Sequence, residues 1–360
     1  ITDYAGNYSY VGTSGLIVDR QRPIQEVGAP AISLNADGVA NGVSNGNVGV
    51  TVSVHDPVAG GTYSGLKQVS YRVYDRGSGA DAPTQAGILF DYTDTDPVQS
   101  GLVQSWSGGI TVEAGVNNSN RIEVVVYAVD NAGNTSENSV FTAIDTTPPV
   151  INVRYDNNTA ENNVYFKENR TATVVITERN FRAEDVNIQI VNKDNGELPA
   201  VSGWSRSGGS GDSTTWTATI SYRAEGSYEF AIAYTDLAGN KCTQTIFENG
   251  TVAPEAFVID KTLPTVNVTY DNNSAENGNY YKEERTATIV VTEHNFAPEL
   301  VDIIVNAADD GAAITAPTVH GWTSSGDRHT ATITYAADGF YSFGIAVKDR
   351  AGNGSTAFER

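Results

Sequence analysis

A carboxylate and an amide share one short motif, Asp-x-Ala-Gly-Asn, at four places in the chain. The copies span residues 3–7, 130–134, 236–240 and 349–353. Carboxylate and amide oxygens bind hard cations, and acids also act in catalysis, so the motif is a candidate metal site, catalytic signature or turn. The turn explains it directly, because Asp at the first and Gly at the fourth position favour a type I turn between antiparallel strands. A turn does not exclude a metal site.

Two further acids recur with the motif in the last two repeats. One precedes the first strand (Asp145, Asp260) and the other ends the second strand (Glu178, Glu293). In a β-sandwich the entering linker, the end of the second strand and the loop between the last two strands lie at one pole. The side chains expected to meet at these poles are Asp145, Glu178, Asp236 and Asn240; Asp260, Glu293, Asp349 and Asn353; and Asp19, Asp130 and Asn134.

Converging carboxylates favour a cation. Three of them repel one another by about 1 kcal/mol per pair at 4 Å in water, and by more where they are shielded. A divalent cation reverses that sign, and Ca²⁺ takes roughly six to eight oxygen ligands. The sequence therefore predicts calcium at these poles. The alternative is a set of solvated acidic loops that happen to share a pole.

Tryptophan also recurs once per repeat, as Trp106, Trp204 and Trp322, each before a Gly/Ser-rich hairpin. Sugar-binding modules often display Trp in this way, which makes the three residues candidate glycan ligands. A residue present in every copy of a repeat also commonly closes the core or covers the end of a sheet. Both interpretations stay open.

Catalysis is not expected from this sequence. The four histidines, at positions 55, 294, 320 and 329, do not recur at matching positions in all repeats. The one cysteine, Cys242, lacks a local nucleophile signature and fits a small half-buried residue. We predict neither catalytic nor organic cofactor-binding residues.

Composition limits the partners. The chain has 43 acidic and 22 basic residues, for a net charge of −21, so nucleic acid and anionic membranes are not expected partners. A single cysteine allows no disulfide within the chain. No apolar run approaches the roughly 18 to 20 residues of a membrane span, so we expect no membrane insertion. The chain begins at Ile1, which we interpret as a fragment of something longer.

Internal repetition defines the domains. Residues 145–181 and 260–296 are identical at 24 of 37 positions, at an offset of 115. The predicted organisation is a terminal hairpin of a preceding, incomplete domain at 1–19, a divergent unit 1 at 20–144, unit 2 at 145–259 and unit 3 at 260–360. We expect the upstream chain to order the terminal hairpin; the alternative is donation of its strand to another copy's sheet.

Each unit has an all-β pattern. Segments such as 170–177, 215–222 and 226–235 alternate apolar and polar residues and are rich in Val, Ile, Thr, Tyr and Phe. About seven short strands in roughly 100 to 115 residues are typical of an immunoglobulin-like sandwich. Tyr228 and Tyr341 fit either a corner tyrosine that bonds back to the backbone or a half-buried aromatic. The predicted fold is therefore all-β: tandem immunoglobulin-like antiparallel β-sandwiches arranged as a rod.

The order of motifs resembles a known family. Asp-x-Thr-x-Pro, a strand-rich body and Asp-x-Ala-Gly-Asn follow one another as in the tandem bacterial Ig-like (Big) domains of large cell-surface adhesins and stalk proteins. Tyr-Asp-Asn-Asn (155–158, 270–273) and Thr-Glu-x-Asn-Phe (177–181, 292–296) are similar to a subset in Gram-positive surface proteins. Unit 1 lacks both motifs. The resemblance implies an extracellular role on the bacterial cell surface, as a spacer or adhesive segment, with calcium at the joints between domains.

The expected function is mechanical. The segment would act as a non-catalytic adhesin stalk whose partners are the neighbouring repeats of its own polypeptide, with the proline-containing linkers 145–149 and 260–264 setting the angles between units. One alternative is a unit that recognises a host glycan or protein, such as an immunoglobulin. Another is a set of accessory domains of a large surface enzyme.

Overall fold

Three hydrophobic cores, one per unit, organise the chain. The computed structural model describes residue 4 and residues 16–31, 33–34, 40–92, 102–194, 196–243, 245–248, 255–355 and 358–359. The cores draw their buried residues from 48–144, 151–259 and 287–347, so each lies within one unit predicted from the sequence. Every unit pairs two sheets around its core, and the prediction of all-β, immunoglobulin-like sandwiches is confirmed. The rod arrangement stays a prediction.

Unit 1 contains nine strands among its described residues. They are β1 (Ile24–Gly28), β2 (Ser33–Leu34), β3 (Ala40–Asn41), β4 (Val48–His55), β5 (Leu66–Asp75), β6 (Gln85–Asp91), β7 (Ser105–Val112), β8 (Ser119–Asp130) and β9 (Thr135–Ile144). One sheet has the order β1-β4-β7 and the other β6-β5-β8-β9, while β2 and β3 pair separately. Strict alternation in β4 buries its four valines and exposes the residues between them, so this strand supplies one wall of the core.

Unit 2 is built in the same way. Its strands are β10 (Val150–Tyr155), β11 (Tyr165–Phe166), β12 (Arg170–Thr177), β13 (Val186–Asn192), β14 (Ala200–Val201), β15 (Ser205–Gly208), β16 (Thr215–Tyr222), β17 (Gly226–Tyr234), β18 (Thr245–Phe247) and β19 (Glu255–Ile259). The sheets are β14-β16-β12-β10-β18, with β15 also paired to β16, and β11-β19-β17-β13. The pairs β10–β18 and β11–β19 are parallel, and the other pairs described in this unit are antiparallel.

Unit 3 repeats the central strands of unit 2. It contains β20 (Thr265–Tyr270), β21 (Arg285–Thr292), β22 (Val301–Asp309), β23 (Ala312–Ala313), β24 (Val319–Ser325), β25 (Arg328–Tyr335), β26 (Phe340–Val347) and β27 (Phe358–Glu359). The sheets are β20-β21-β25-β24 and β23-β22-β26-β27. Single turns of 3-10 helix occur at Ala183–Asp185, Gly211–Ser213 and Pro298–Leu300. Among the residues described, no helix is long and apolar enough to cross a membrane.

The two tyrosines singled out from the sequence are corner residues. The Tyr228 hydroxyl donates to the carbonyl of Ala224 at 3.0 Å, and the Tyr341 hydroxyl donates to that of Ala337 at 2.9 Å. Each bond ties the start of a strand to the backbone four residues upstream. The corner interpretation is confirmed for both. The terminal hairpin predicted at 1–19 lies outside the described residues except for Tyr4 and residues 16–19.

Candidate metal centres at the domain joints

The Asp-x-Ala-Gly-Asn motif forms the predicted turn in its three described copies. In unit 2 the amide N–H of Gly239 donates to the carbonyl of Asp236 at 3.1 Å, and Gly239 has φ of +93°. The Asp236 carboxylate also accepts the backbone N–H of Asn240 at 2.8 Å. Glycine suits this position because the left-handed conformation strains other residues. The fourth copy, at 3–7, lies outside the described residues apart from Tyr4.

Among the described residues, three groups of carboxylates converge, each at the pole where the chain enters a unit. We call them the Asp19 cluster, the Asp145 cluster and the Asp260 cluster. Their members are Asp19, Asp56 and Asp130; Asp145, Glu178 and Asp236; and Asp260, Glu293 and Asp349. Within each cluster one oxygen of every carboxylate lies within 4.8 Å of the others. Eight of the nine side chains are buried, and Asp19 is half-buried.

Topology explains the convergence. Each cluster joins an acid from the linker, an acid that follows the second long strand (β4, β12 or β21), and the Asp of the turn. The middle acid of unit 1, Asp56, was missed by the sequence analysis, because unit 1 lacks the Thr-Glu-x-Asn-Phe motif that marks Glu178 and Glu293. The available signal was an acid directly after β4.

Asparagine amides brace the clusters. Asn240 Nδ2 donates both to the backbone carbonyl of Asp145 and to Asp236 Oδ2, each at 2.8 Å. The matching donors in the other units are Asn134 and Asn353. The amide nitrogen, rather than the amide oxygen, therefore faces the carboxylate. Metal ligation by these asparagines would require the amide to turn over, and it stays a prediction.

A second asparagine, also missed from the sequence, bonds the linker acid in units 2 and 3. Asn180 Nδ2 donates to Asp145 Oδ2 at 2.6 Å, and Asn295 Nδ2 donates to Asp260 Oδ2 at 2.8 Å. Both belong to the Thr-Glu-x-Asn-Phe motif, whose Asn residue therefore holds the linker acid in place. In the same motif the backbone N–H of Asn180 donates to Glu178 Oε1 at 2.6 Å.

Burial, together with repulsion from neighbouring acids, raises the pKa values of five carboxylates in the clusters. Burial, with added repulsion from Asp145 and Asp236, raises the pKa of Glu178 to about 8. Burial, with Asp260 and Asp349 nearby, raises the pKa of Glu293 to about 7. The pKa values of Asp56, Asp236 and Asp260 are also raised, chiefly by burial. Ionising a whole cluster is therefore costly without a compensating cation.

Among the described residues, two cluster oxygens that are fully shielded from solvent lack a hydrogen-bond donor. They are Asp56 Oδ1 and Glu293 Oε2, on side chains that are 0% and 3% exposed. The other oxygen of each carboxylate is satisfied: Asp56 Oδ2 accepts the N–H of Gly65 at 2.7 Å, and Glu293 Oε1 accepts the N–H of Asn295 at 2.8 Å. A buried charge without a partner lowers the stability of the folded chain. Calcium binds hard oxygen ligands such as these carboxylates. The residues present fit a calcium ion.

The three recurring tryptophans pack against the cores. Trp204 is half-buried, with its ring 5.2 Å from that of Phe181, and Trp322 is half-buried, with its ring 5.0 Å from that of Phe296. Trp106 is likewise half-buried against the core of unit 1. This placement agrees with residues that cover a sheet end. Glycan binding through them stays a prediction.

Comparisons with known proteins give limited likeness. No protein-family model matches the chain, and a search of curated proteins found no match. Among solved structures, dimeric latent PorU from Porphyromonas gingivalis is similar at 14% identity and a TM-score of 0.20, over 93% of this chain and 33% of that one. The chain thus spans about a third of PorU.

Two other structures show comparable likeness. The Bacteroides ovatus mixed-linkage glucan utilization locus protein SGBP-B, solved with a mixed-linkage heptasaccharide, has 13% identity and a TM-score of 0.18, over 94% of this chain and 70% of that one. The N-terminal eight Ig domains of Down Syndrome Cell Adhesion Molecule have 12% identity and a TM-score of 0.19, over 88% of this chain and 38% of that one. The description of the fold rests on the sheets themselves.

Proposed function

We propose that the chain is a non-catalytic segment of an extracellular bacterial surface protein, in which tandem immunoglobulin-like domains act as a stalk or spacer and calcium stiffens the joints. One observation carries the proposal: each acidic cluster combines one acid from a linker with two acids from the unit that follows it. A cation held by all three would fasten the linker to that unit.

The energetics support a role for the cation in stiffening. At a calcium concentration tenfold above the dissociation constant, binding stabilises the bound form by roughly 1.4 kcal/mol per site. Extracellular modules bind calcium with dissociation constants of about 0.1 to 1 mM. Such a gain also offsets the repulsion within a cluster, so the joint would be ordered where calcium is plentiful and looser where it is scarce.

Linker contacts add to the joint. In the linker between units 2 and 3, the backbone N–H of Lys261 donates to Glu225 Oε1 at 2.8 Å, and the Thr262 hydroxyl donates to the same carboxylate. Asn162 Nδ2 of unit 2 donates to the carbonyl of Arg350 in unit 3 at 2.7 Å. These bonds connect units 2 and 3, and they support our proposal that the partners are the neighbouring repeats of the same polypeptide.

Calorimetry and thermal unfolding test the proposal. The EDTA-treated 360-residue chain is titrated with CaCl₂ up to several millimolar, with MgCl₂ as the comparison ion. We expect heat of binding and a higher Tm with calcium, both reduced in Asp260→Asn. The matched control is Asp338→Asn at an exposed acid outside the clusters, which should behave as the unaltered chain. Absence of both heat and a Tm change would overturn the proposal.

A further inference from the structure

The Asp145 cluster contains a cation of its own. Arg179 directly follows Glu178, and its side chain is 11% exposed. Its Nη2 lies 3.1 Å from Asp145 Oδ1, and its Nη1 lies 2.9 Å from Asp212 Oδ1. A guanidinium keeps its charge at every pH at which proteins fold. The cluster therefore has a permanent positive charge against its linker acid.

Arg179 is held by both units. Its Nη2 donates to Asn118 Oδ1 at 2.7 Å and to the carbonyl of Ile144 at 3.2 Å, and its Nη1 donates to the carbonyl of Asn118 at 3.2 Å. Asn118 and Ile144 belong to unit 1, whereas Arg179 and Asp212 belong to unit 2. Planar guanidinium groups are suited to such multiple contacts, because their donors point in fixed directions. The side chain thus bridges the joint between units 1 and 2.

The same position carries no inward cation in the other units. In unit 3 it is His294, whose side chain is 59% exposed and whose Nδ1 lies 2.9 Å from Asp327 Oδ1. In unit 1 the residue after Asp56 is Pro57, which is uncharged. Among the described residues, no Lys, Arg or His side chain forms an ion pair with the Asp19 cluster or the Asp260 cluster.

The carboxylate oxygens that are fully shielded from solvent and unpaired follow the same division. Asp56 Oδ1 belongs to the Asp19 cluster and Glu293 Oε2 to the Asp260 cluster. For the part of the chain that the structure describes, the Asp145 cluster has no carboxylate oxygen that is both buried and without a donor. The Asp145 cluster retains Glu178 Oε2, which accepts no hydrogen bond from a described residue, but both donor-free oxygens that are fully shielded from solvent lie where Arg179 has no counterpart.

From this division we infer that Arg179 replaces the metal at the Asp145 cluster, and that the chain takes up two divalent cations, one at the Asp19 cluster and one at the Asp260 cluster. The inference rests on the proposed function. It means that the joint between units 1 and 2 is fixed without metal, whereas the joint between units 2 and 3 responds to calcium.

The stoichiometry of calcium binding to the whole chain tests the inference. The EDTA-treated chain is dialysed against CaCl₂, and bound calcium is measured by atomic emission alongside calorimetry. We expect two ions per chain. Two variants at the same place in their repeats form a matched pair: Asp349→Asn should reduce the number to one, and Asp236→Asn should leave it at two. Arg179→Gln should raise it to three.

The outcomes separate the two proposals. Three ions bound to the unaltered chain, or a loss of one ion in Asp236→Asn, would overturn the role of Arg179 while leaving calcium binding intact. Two ions bound to a folded Arg179→Gln variant would also overturn it. No bound calcium at all would overturn the proposed function itself. Circular dichroism checks the folding of each variant, and if Arg179→Gln does not fold, the Asp236 and Asp349 pair decides.

Discussion

Replacing Glu293 by Gln should stabilise unit 3 when calcium is absent. Glu293 is 3% exposed, and its Oε2 has no donor. Gln has nearly the same shape and no charge, and its amide oxygen can still accept the N–H of Asn295 that Oε1 accepts at 2.8 Å. The substitution therefore removes the repulsion from Asp260 and Asp349 while it preserves the packing.

The size of the expected gain in stability follows from the raised pKa of Glu293. Burial first, and then the two neighbouring acids, raise its pKa from 4.5 to about 7 in the folded chain. Because the folded pKa is the higher one, this group contributes stability below about pH 4.5 and loses it as the pH rises through about 7. At about 1.36 kcal/mol per pH unit, the loss approaches roughly 3 kcal/mol at pH 8. Gln does not ionise, so the variant avoids this loss.

The assay compares Tm in EDTA at pH 5 and pH 8. For a unit of about 100 residues, each kcal/mol shifts Tm by roughly 4 to 8 °C, so Glu293→Gln should melt measurably higher than the unaltered chain at pH 8 and close to it at pH 5. Hydrogen exchange of β21 reports on unit 3 separately. Saturating calcium should narrow the difference at pH 8, because the variant lacks one ligand.

One outcome of the Glu293→Gln experiment would contradict the prediction. If Glu293→Gln lowers the Tm in EDTA by the same amount at both pH values, the carboxylate stabilises the fold and the reasoning is wrong. Asp338→Asn, at an exposed acid of the same unit, controls for general effects of charge.

Three more predictions concern buried polar contacts and the joints. Glu255→Gln should destabilise unit 2 by about 3 to 5 kcal/mol in chemical denaturation, because it removes the negative charge paired with Arg170, whose side chain is 2% exposed. Tyr228→Phe should cost about 0.5 to 1.5 kcal/mol in the same assay, since it loses the bond to Ala224. Calcium should narrow the spin-label distance distribution between units 2 and 3 and leave that between units 1 and 2 unchanged.

Each of these has a control and a contrary outcome. Glu184→Gln changes a largely exposed acid of unit 2 and should leave denaturation unchanged; an equal effect from Glu255→Gln would mean that the buried pair contributes little. A neutral Tyr228→Phe variant would show that the corner bond is exchanged for water without loss. An equal calcium effect on both joints would contradict the distinct role of Arg179.

The sequence predicted the sandwiches well because their signals are local and repeated. Alternation over 170–177 and 215–222 corresponds to β12 and β16 residue for residue. The convergence of Asp145, Glu178 and Asp236 was also predictable, because sandwich topology determines which loops share a pole. None of these inferences needed side-chain detail.

Asp56 shows where the pattern fails. Its place after β4 matches that of Glu178 after β12, but the segment around it has neither the sequence nor the spacing of the later units. Comparison of motifs therefore did not identify Asp56, whereas the sheet order places it beside Asp19 and Asp130. Topology preserves the position of an acid after the surrounding sequence has diverged.

Arg179 and His294 occupy the same position in two repeats but make different contacts. Both are basic residues at one position of segments that are identical at 24 of 37 places, so the sequence alone suggests a single role. The directions in which the two side chains point depend on contacts with residues that are distant in the sequence. The Arg179 guanidinium contacts Asp212 in its own unit and Asn118 in the preceding unit, so it lies across the joint. The His294 imidazole instead contacts Asp327 at the surface. The charge at each joint thus depends on three-dimensional partners, and under our proposal repeats of similar sequence differ in whether they bind a metal.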